Sequence, residues 1–154
     1  MADGNDTWDD EDRPAVIPFA DLPPPPPDVL PIGEVYDWYR RGLELVEAGS
    51  PHAAVELLAH AAEAEPESRS VLEALARAQF DAGFFAEAKV SFERIVEVNP
   101  ADDYAQFGLG LAAARVDDLE SAVEHLALAA AMRPDIAHYG TALRGARATL
   151  ASRR

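Results

Sequence analysis

Three prolines, Pro66, Pro100 and Pro134, stand 34 residues apart, and other columns keep step with them. Ala54, Ala88 and Ala122 share the spacing, as do Leu58, Phe92 and Leu126, and Ala61, Ile95 and Ala129. Four columns holding one register three times over do not arise from composition alone. A fixed period of roughly 20–50 residues marks an architecture in which one small unit is stacked on copies of itself. This period constrains the fold more than any local propensity.

Within the period the apolar spacing is helical. In the first unit Trp38 and Leu45 share a face until Gly49 breaks the pattern. Gly49-Ser50-Pro51 then supplies a helix stop, an N-cap side chain and a proline for the first helical position. A second helix follows, with Ala54, Leu57, Leu58 and Ala61 inward, and Pro66 ends it. The second unit repeats this with Gly83 at the turn. The third replaces the glycine with Asp117-Asp118, whose carboxylates can cap the next helix. Each unit reads as a helical hairpin. Small residues recur where paired helices must approach closely, in the Gly42/Ala76/Gly110 and Ala54/Ala88/Ala122 columns. Bulkier residues in the Leu58/Phe92/Leu126 column fill the space between hairpins.

These columns resemble the tetratricopeptide repeat, whose pattern runs W-x2-L-G-x2-Y, A-x3-F, an alanine and a closing proline. Trp38, Gly42, Leu45, Ala54, Leu58, Ala61 and Pro66 carry it in the first unit. Leu72, Leu75, Ala76, Ala88, Phe92, Ile95 and Pro100 carry it in the second, and Leu109, Gly110, Ala122, Leu126, Ala129 and Pro134 in the third. Arg41, Gln79, Gln106 and Ala113 depart from the pattern, and such departures are expected to loosen first-helix packing. The resemblance implies an all-α, right-handed solenoid of three hairpins, over residues 35–68, 69–102 and 103–136. Residues 137–154 form a C-terminal capping helix, with Ile136, Leu143 and Leu150 packing inward. Arg144, Arg147, Arg153 and Arg154 sit toward that helix's negative end.

Residues 1–33 are unlike the rest. They hold eight of the twelve prolines, and the first thirty residues set eight acids against one arginine. A segment so charged and so poor in apolar area is expected to be a disordered acidic leader, followed by a polyproline rod at Pro23–Pro27. Trp8, Phe19, Leu22, Val29, Leu30 and Ile32 are the residues in it able to dock, including on this protein's own surface.

Chemistry is harder to find than architecture. No phosphate-binding glycine loop, G-x-S-x-G or H-E-x-x-H is present. His52, Glu56 and His60 are four apart on one helix, but they lie on an open outer face and read as a solvated stripe. No enzyme, metal or cofactor is expected. A formal net charge of −15 argues against nucleic acid as the partner. No stretch approaches the ~20 apolar residues of a membrane span. The chain has no cysteine, which fits a reducing compartment, and its acidic start does not read as a signal peptide. A cytoplasmic protein is expected.

The resemblance implies that stacked first helices line a concave groove for a peptide or helix of another protein. Its groove columns map here to Tyr36, Tyr39, Arg40 and Leu43, then Ser70, Glu73, Ala74, Arg77, Phe80 and Asp81, then Tyr104, Phe107, Gly108, Leu111 and Arg115. Tyr39, Phe80 and Phe107 are expected to take aromatic or aliphatic anchors, and Arg40, Arg77 and Arg115 to meet acids. Some family members grip a peptide's terminal carboxylate with lysines and asparagines, where this chain has Tyr39, Leu43, Ala74, Tyr104 and Gly108. That clamp is absent. An acidic tail that fills the groove itself, or self-association through an uncovered end, are the other readings. The sequence does not set the oligomeric state.

Overall fold

The turns between hairpins are built first by the prolines. Glu65, Asn99 and Arg133 each precede one, and each ends its helix with φ near −135° and ψ of 75°, 91° and 74°. A proline ring clashes with a helical conformation in the residue before it, so the chain must leave the helix there. Within the hairpins the turn is made by a left-handed residue. Gly49 has φ of 80° and Gly83 of 87°, and in the third unit Asp117 takes the same role at 66°. Asp118 then caps the next helix, its carboxylate accepting from the Ser121 amide at 3.2 Å. Ser50, read as an N-cap from the sequence, stands at that position without a side-chain hydrogen bond; Pro51 alone starts the helix.

The computed structural model describes residues 33–154. The expected disordered tail falls outside the described residues. Among them the elements are α1 (Gly33–Glu47), α2 (Pro51–Ala64), α3 (Arg69–Asp81), α4 (Phe85–Val98), α5 (Asp103–Arg115), α6 (Leu119–Met132) and α7 (Ala137–Ser152). Each helix packs on its neighbours in sequence, giving an all-α solenoid. In addition α1 touches α3, α3 touches α5, and α5 touches α7, whereas no comparable contact joins α2, α4 and α6. The odd-numbered helices therefore form the inside of the bend and the even-numbered ones the outside.

Close approach within each hairpin depends on the small column. Gly42, Ala76, Ala54, Ala88 and Ala122 are all buried. A methyl group on Gly42 would lie 2.5 Å from Leu58 Cγ, and one on Gly110 would lie 2.6 Å from Leu126 Cγ. Between hairpins Gly108 does the same work, since its methyl would fall 2.4 Å from the Phe92 ring. The bulky residues nest where the glycines leave room. One cluster joins Ala54, Leu58 and Ala61 to Val71, Ala74, Leu75 and Ala78 of α3, and a larger one runs from Leu72 and Phe92 through α5 and α6 to Tyr139 and Leu143 of α7. Fully burying a side chain such as Leu126 or Phe92 stabilises by about 1.5–3 kcal/mol. Because α3 serves both clusters, it is buried on two sides, while α1 buries only Gly42 completely.

Three of the four departures from the repeat pattern are absorbed into packing, whereas Arg41 is exposed on α1 and pairs with Glu44 at 3.2 Å. Gln79 accepts from the Ser91 hydroxyl at 2.7 Å, and Gln106, 3% exposed, lies 2.7 Å from His125 Nδ1 and donates to the Pro100 carbonyl at 3.0 Å. Each glutamine binds across its hairpin where an aromatic ring would otherwise fill space, so its polar atoms are satisfied inside. Ala113 is fully buried. On the cap, Leu143 and Ile136 pack inward as expected, but Tyr139 is its principal anchor: the ring stacks on Phe107 at 4.6 Å and the hydroxyl donates to Asp103 at 2.8 Å.

These contacts set the response to substitution. Gly110→Ala is expected to cost about 1–3 kcal/mol, since Leu126 must leave its rotamer or the helices must part. Gly145→Ala, with nothing within 4 Å of the added methyl, is expected to stabilise by up to about 1 kcal/mol through helix propensity. Chemical denaturation of the two variants checks both signs. At the left-handed turn, Asp117→Gly is expected to hold or raise the melting temperature, and Asp117→Val to lower stability by about 1–2 kcal/mol.

Candidate functional site

Five helix-borne side chains give the inner face its chemistry. Tyr39 on α1, Glu73 and Arg77 on α3 and Tyr104 on α5 lie in consecutive turns of neighbouring helices, and Arg69 stands at the start of α3. Arg69 is held by two parallel bonds, from Nε at 2.8 Å and an Nη at 3.0 Å, to the two oxygens of Asp102. Asp102 also caps α5, accepting from the Ala105 amide at 3.0 Å. One carboxylate thus fixes both the α5 N-terminus and an arginine on the preceding hairpin. A bidentate pair of this kind holds its guanidinium in a defined plane.

Glu73 is the unexpected member. It is 4% exposed, Arg77 lies 3.7 Å from it, and among the described residues its Oε1 has no hydrogen-bond partner. Burial pushes the carboxyl above its ordinary value of 4.5, with Asp102 adding to the rise, and Arg77 and Arg69 only partly offset it. Burial likewise raises the Tyr104 and Tyr39 phenols, and the Glu73 charge raises both further. Asp81, one turn beyond Arg77, is also raised by burial and pulled back by Arg77.

A second group closes the far end of the face. Phe80 of α3 meets Phe85 edge-on at 5.0 Å, and the Arg115 guanidinium of α5 lies 4.6 Å from the Phe85 ring centre and 5.6 Å from that of Phe80. Cation and ring faces attract through the ring quadrupole, so the two rings help hold the exposed Arg115 in place. Phe85 was not among the residues singled out from the sequence, although the Phe84-Phe85 pair after Gly83 was visible there.

The other sequence-derived residues distribute as follows. Tyr36 and Leu43 are half-buried, Leu43 and Tyr39 against the first core cluster. Arg40 is exposed and pairs with Glu44 on its own helix at 3.4 Å. Leu111 is half-buried against the larger cluster, Phe80 and Tyr104 are buried, and Phe107 is fully buried at the α5–α7 contact. Tyr39, Arg77, Phe80, Tyr104 and Arg115 are thereby grouped around α3, with Arg40 set apart on the α1 edge. Gly108 faces Phe92 of the preceding hairpin.

On α2, His60 lies against Trp38 at 4.4 Å between ring centres, and His52 against Phe84 at 5.3 Å. Among the described residues no group of three or more acidic or histidine side chains is arranged to hold a metal ion, and no helix is long and apolar enough to cross a membrane.

The position of Glu73 generates a pH dependence. A carboxyl whose value is raised on folding binds its proton more tightly in the native state. Its stabilisation is full below 4.5 and is lost as pH rises through the folded value. Glu73→Gln is therefore expected to gain in melting temperature over the parent as pH rises above 4.5, with the difference shrinking to its minimum below it. Thermal melts across that range check the sign, and a gain that grows toward acid overturns it.

The profile of the tetratricopeptide repeat matches residues 39–88 and again 73–137, well over half the chain. Solved structures agree at the level of fold. The first such domain of human RPAP3 superposes with a TM-score of 0.70 at 21% identity, covering 77% of this chain and 93% of that one. The first domain of Spaghetti (RPAP3), solved with the HSP90 peptide SRMEEVD, gives 0.73 at 20% identity, covering 79% and 97%. The Sgt2 domain from Aspergillus fumigatus gives 0.73 at 20% identity, covering 84% and 89%. A comparison with curated protein sequences gave no match. Domains of this fold are in general non-catalytic modules for protein interaction. With its 34-residue register, paired helices and inner helix row, this chain belongs to the tetratricopeptide repeat family.

Proposed function

We propose that the chain is a non-catalytic adaptor that holds a peptide or helix of a partner protein against the inner faces of α1, α3 and α5. The observation that carries this is the grouping of Tyr39, Arg77, Phe80, Tyr104 and Arg115 on three consecutive inner helices. Aromatic and arginine side chains are the residues that most often dominate binding energy. Here they are also held by their surroundings, Arg115 by two rings and Arg77 beside Glu73, so less side-chain entropy is lost when a ligand arrives.

The ligand suited to this face carries aromatic or aliphatic anchors for the Tyr39–Tyr104 stretch and acids placed to meet Arg77 and Arg115. It is not a ligand of the kind of the HSP90 peptide SRMEEVD bound by the Spaghetti domain. Tyr39, Leu43, Ala74, Tyr104 and Gly108 replace the clamp residues, and Gly108 is committed to Phe92.

Partner capture from native-cell extract provides the test. Arg115→Glu and Tyr39→Ala are expected to weaken capture by about tenfold or more, which corresponds to a loss of about 1.4 kcal/mol. Val98→Ser, on the outer layer at 89% exposure, is expected to leave it unchanged. Equal capture by all three variants would place the interaction elsewhere.

A further inference from the structure

We infer that residues 1–32 are the resident ligand of the inner face, binding there in cis and yielding it to a partner by competition. This rests on the reading of the inner face as a binding groove and names its first occupant. The tail has the composition that the groove calls for, eight acids against one arginine together with Trp8, Phe19 and Leu22.

Charge decides between the two layers. The outer helices α2, α4 and α6 carry seven acids and two bases, whereas the inner helices α1, α3, α5 and α7 carry seven of each. An acidic segment is therefore repelled by the outer layer, while the inner one is neutral in sum and offers Arg69, Arg77 and Arg115 on α3 and α5. The four acids of α1 are exposed; on α3 and α5 Asp103 accepts from Tyr139 and Glu73 is buried beside Arg77, which leaves Asp81 as the exposed acid of those two helices. Arg69 and Arg115 are already oriented, by Asp102 and by Phe85, so an incoming carboxylate finds cations that need little ordering.

Reach does not limit the contact. The tail joins α1 at Gly33, directly ahead of Tyr36 and Tyr39. Its 32 residues span up to about 100 Å when extended, against about 20–30 Å across three packed helices. Tethering raises the local concentration of such a segment to the millimolar range, so weak contacts suffice to fill the groove and a tighter partner can still displace them.

The absence of cysteine makes the test direct. In the full chain, Asp12→Cys carrying a nitroxide is expected to reduce the amide signals of Arg77, Phe80 and Tyr104 at least twofold. Those of Val90, Glu97 and Glu124 on the outer layer keep their intensity. Arg115→Glu, or salt raised to about 1 M, where screening acts within 3 Å, is expected to restore the signals. No broadening of the inner face, or broadening centred on the outer layer, overturns the inference. So does broadening that reappears undiminished when spin-labelled and isotope-labelled chains are separate molecules, because the occupant is then a second copy. If the tail leaves the face untouched while partner capture still depends on Arg115 and Tyr39, self-occupancy alone has failed; loss of dependence on those residues defeats the groove reading itself.

Discussion

The solenoid depends on one steric condition, nothing larger than a methyl where paired helices cross. At Gly42 and Gly110 a hydrogen stands where a methyl would fall within 2.6 Å of a leucine, and at Gly108 the same holds against Phe92. Close-packed interiors have no room to absorb such an overlap without moving a helix. With the helices that close, Leu58, Phe92 and Leu126 become the fully buried pegs that fix the angle of each hairpin on the next. The bend that places α1, α3, α5 and α7 on the inside follows from this packing repeated three times.

The same repetition generates the inner face. A column of the repeat becomes a row across neighbouring helices, so a few positions decide what the row can bind. Here the row alternates rings with arginines and contains one buried carboxylate. The polar ties run along it: Arg69 to Asp102 across one hairpin boundary, Tyr139 to Asp103 across the next. These bonds lock register between units, which apolar packing alone specifies poorly because it has no direction. Stability and recognition therefore share residues, and Asp102 serves as a helix cap and an arginine anchor together.

Much of this was legible in the chain. The prolines located the turns because the residue before each cannot stay helical, and glycine or aspartate at every intra-hairpin turn was visible at the same spacing. The caps at Asp118 and the inward Leu143 were readable for the same reason: a local rule governed them. What misled was polarity inside the repeat. Gln79 and Gln106 looked like flaws in an apolar pattern, yet each finds a partner on the paired helix, Ser91 and His125, that lies too far along the chain for a local rule to connect.

The sequence by itself determined the architecture, an all-α stack of helical hairpins with turns at its prolines and glycines, since periodicity and steric prohibition act within a few residues. Only the tertiary structure decided what those columns present. It buried Glu73 beside Arg77, set Arg115 over Phe85, turned Gly108 toward Phe92 and gave Phe107 to the capping helix through Tyr139. Apart from the Glu73–Arg77 pair within α3, each of these is a meeting between helices of different hairpins. Its energy depends on distance, burial and the dielectric around it, and none of those quantities exists until the units are stacked.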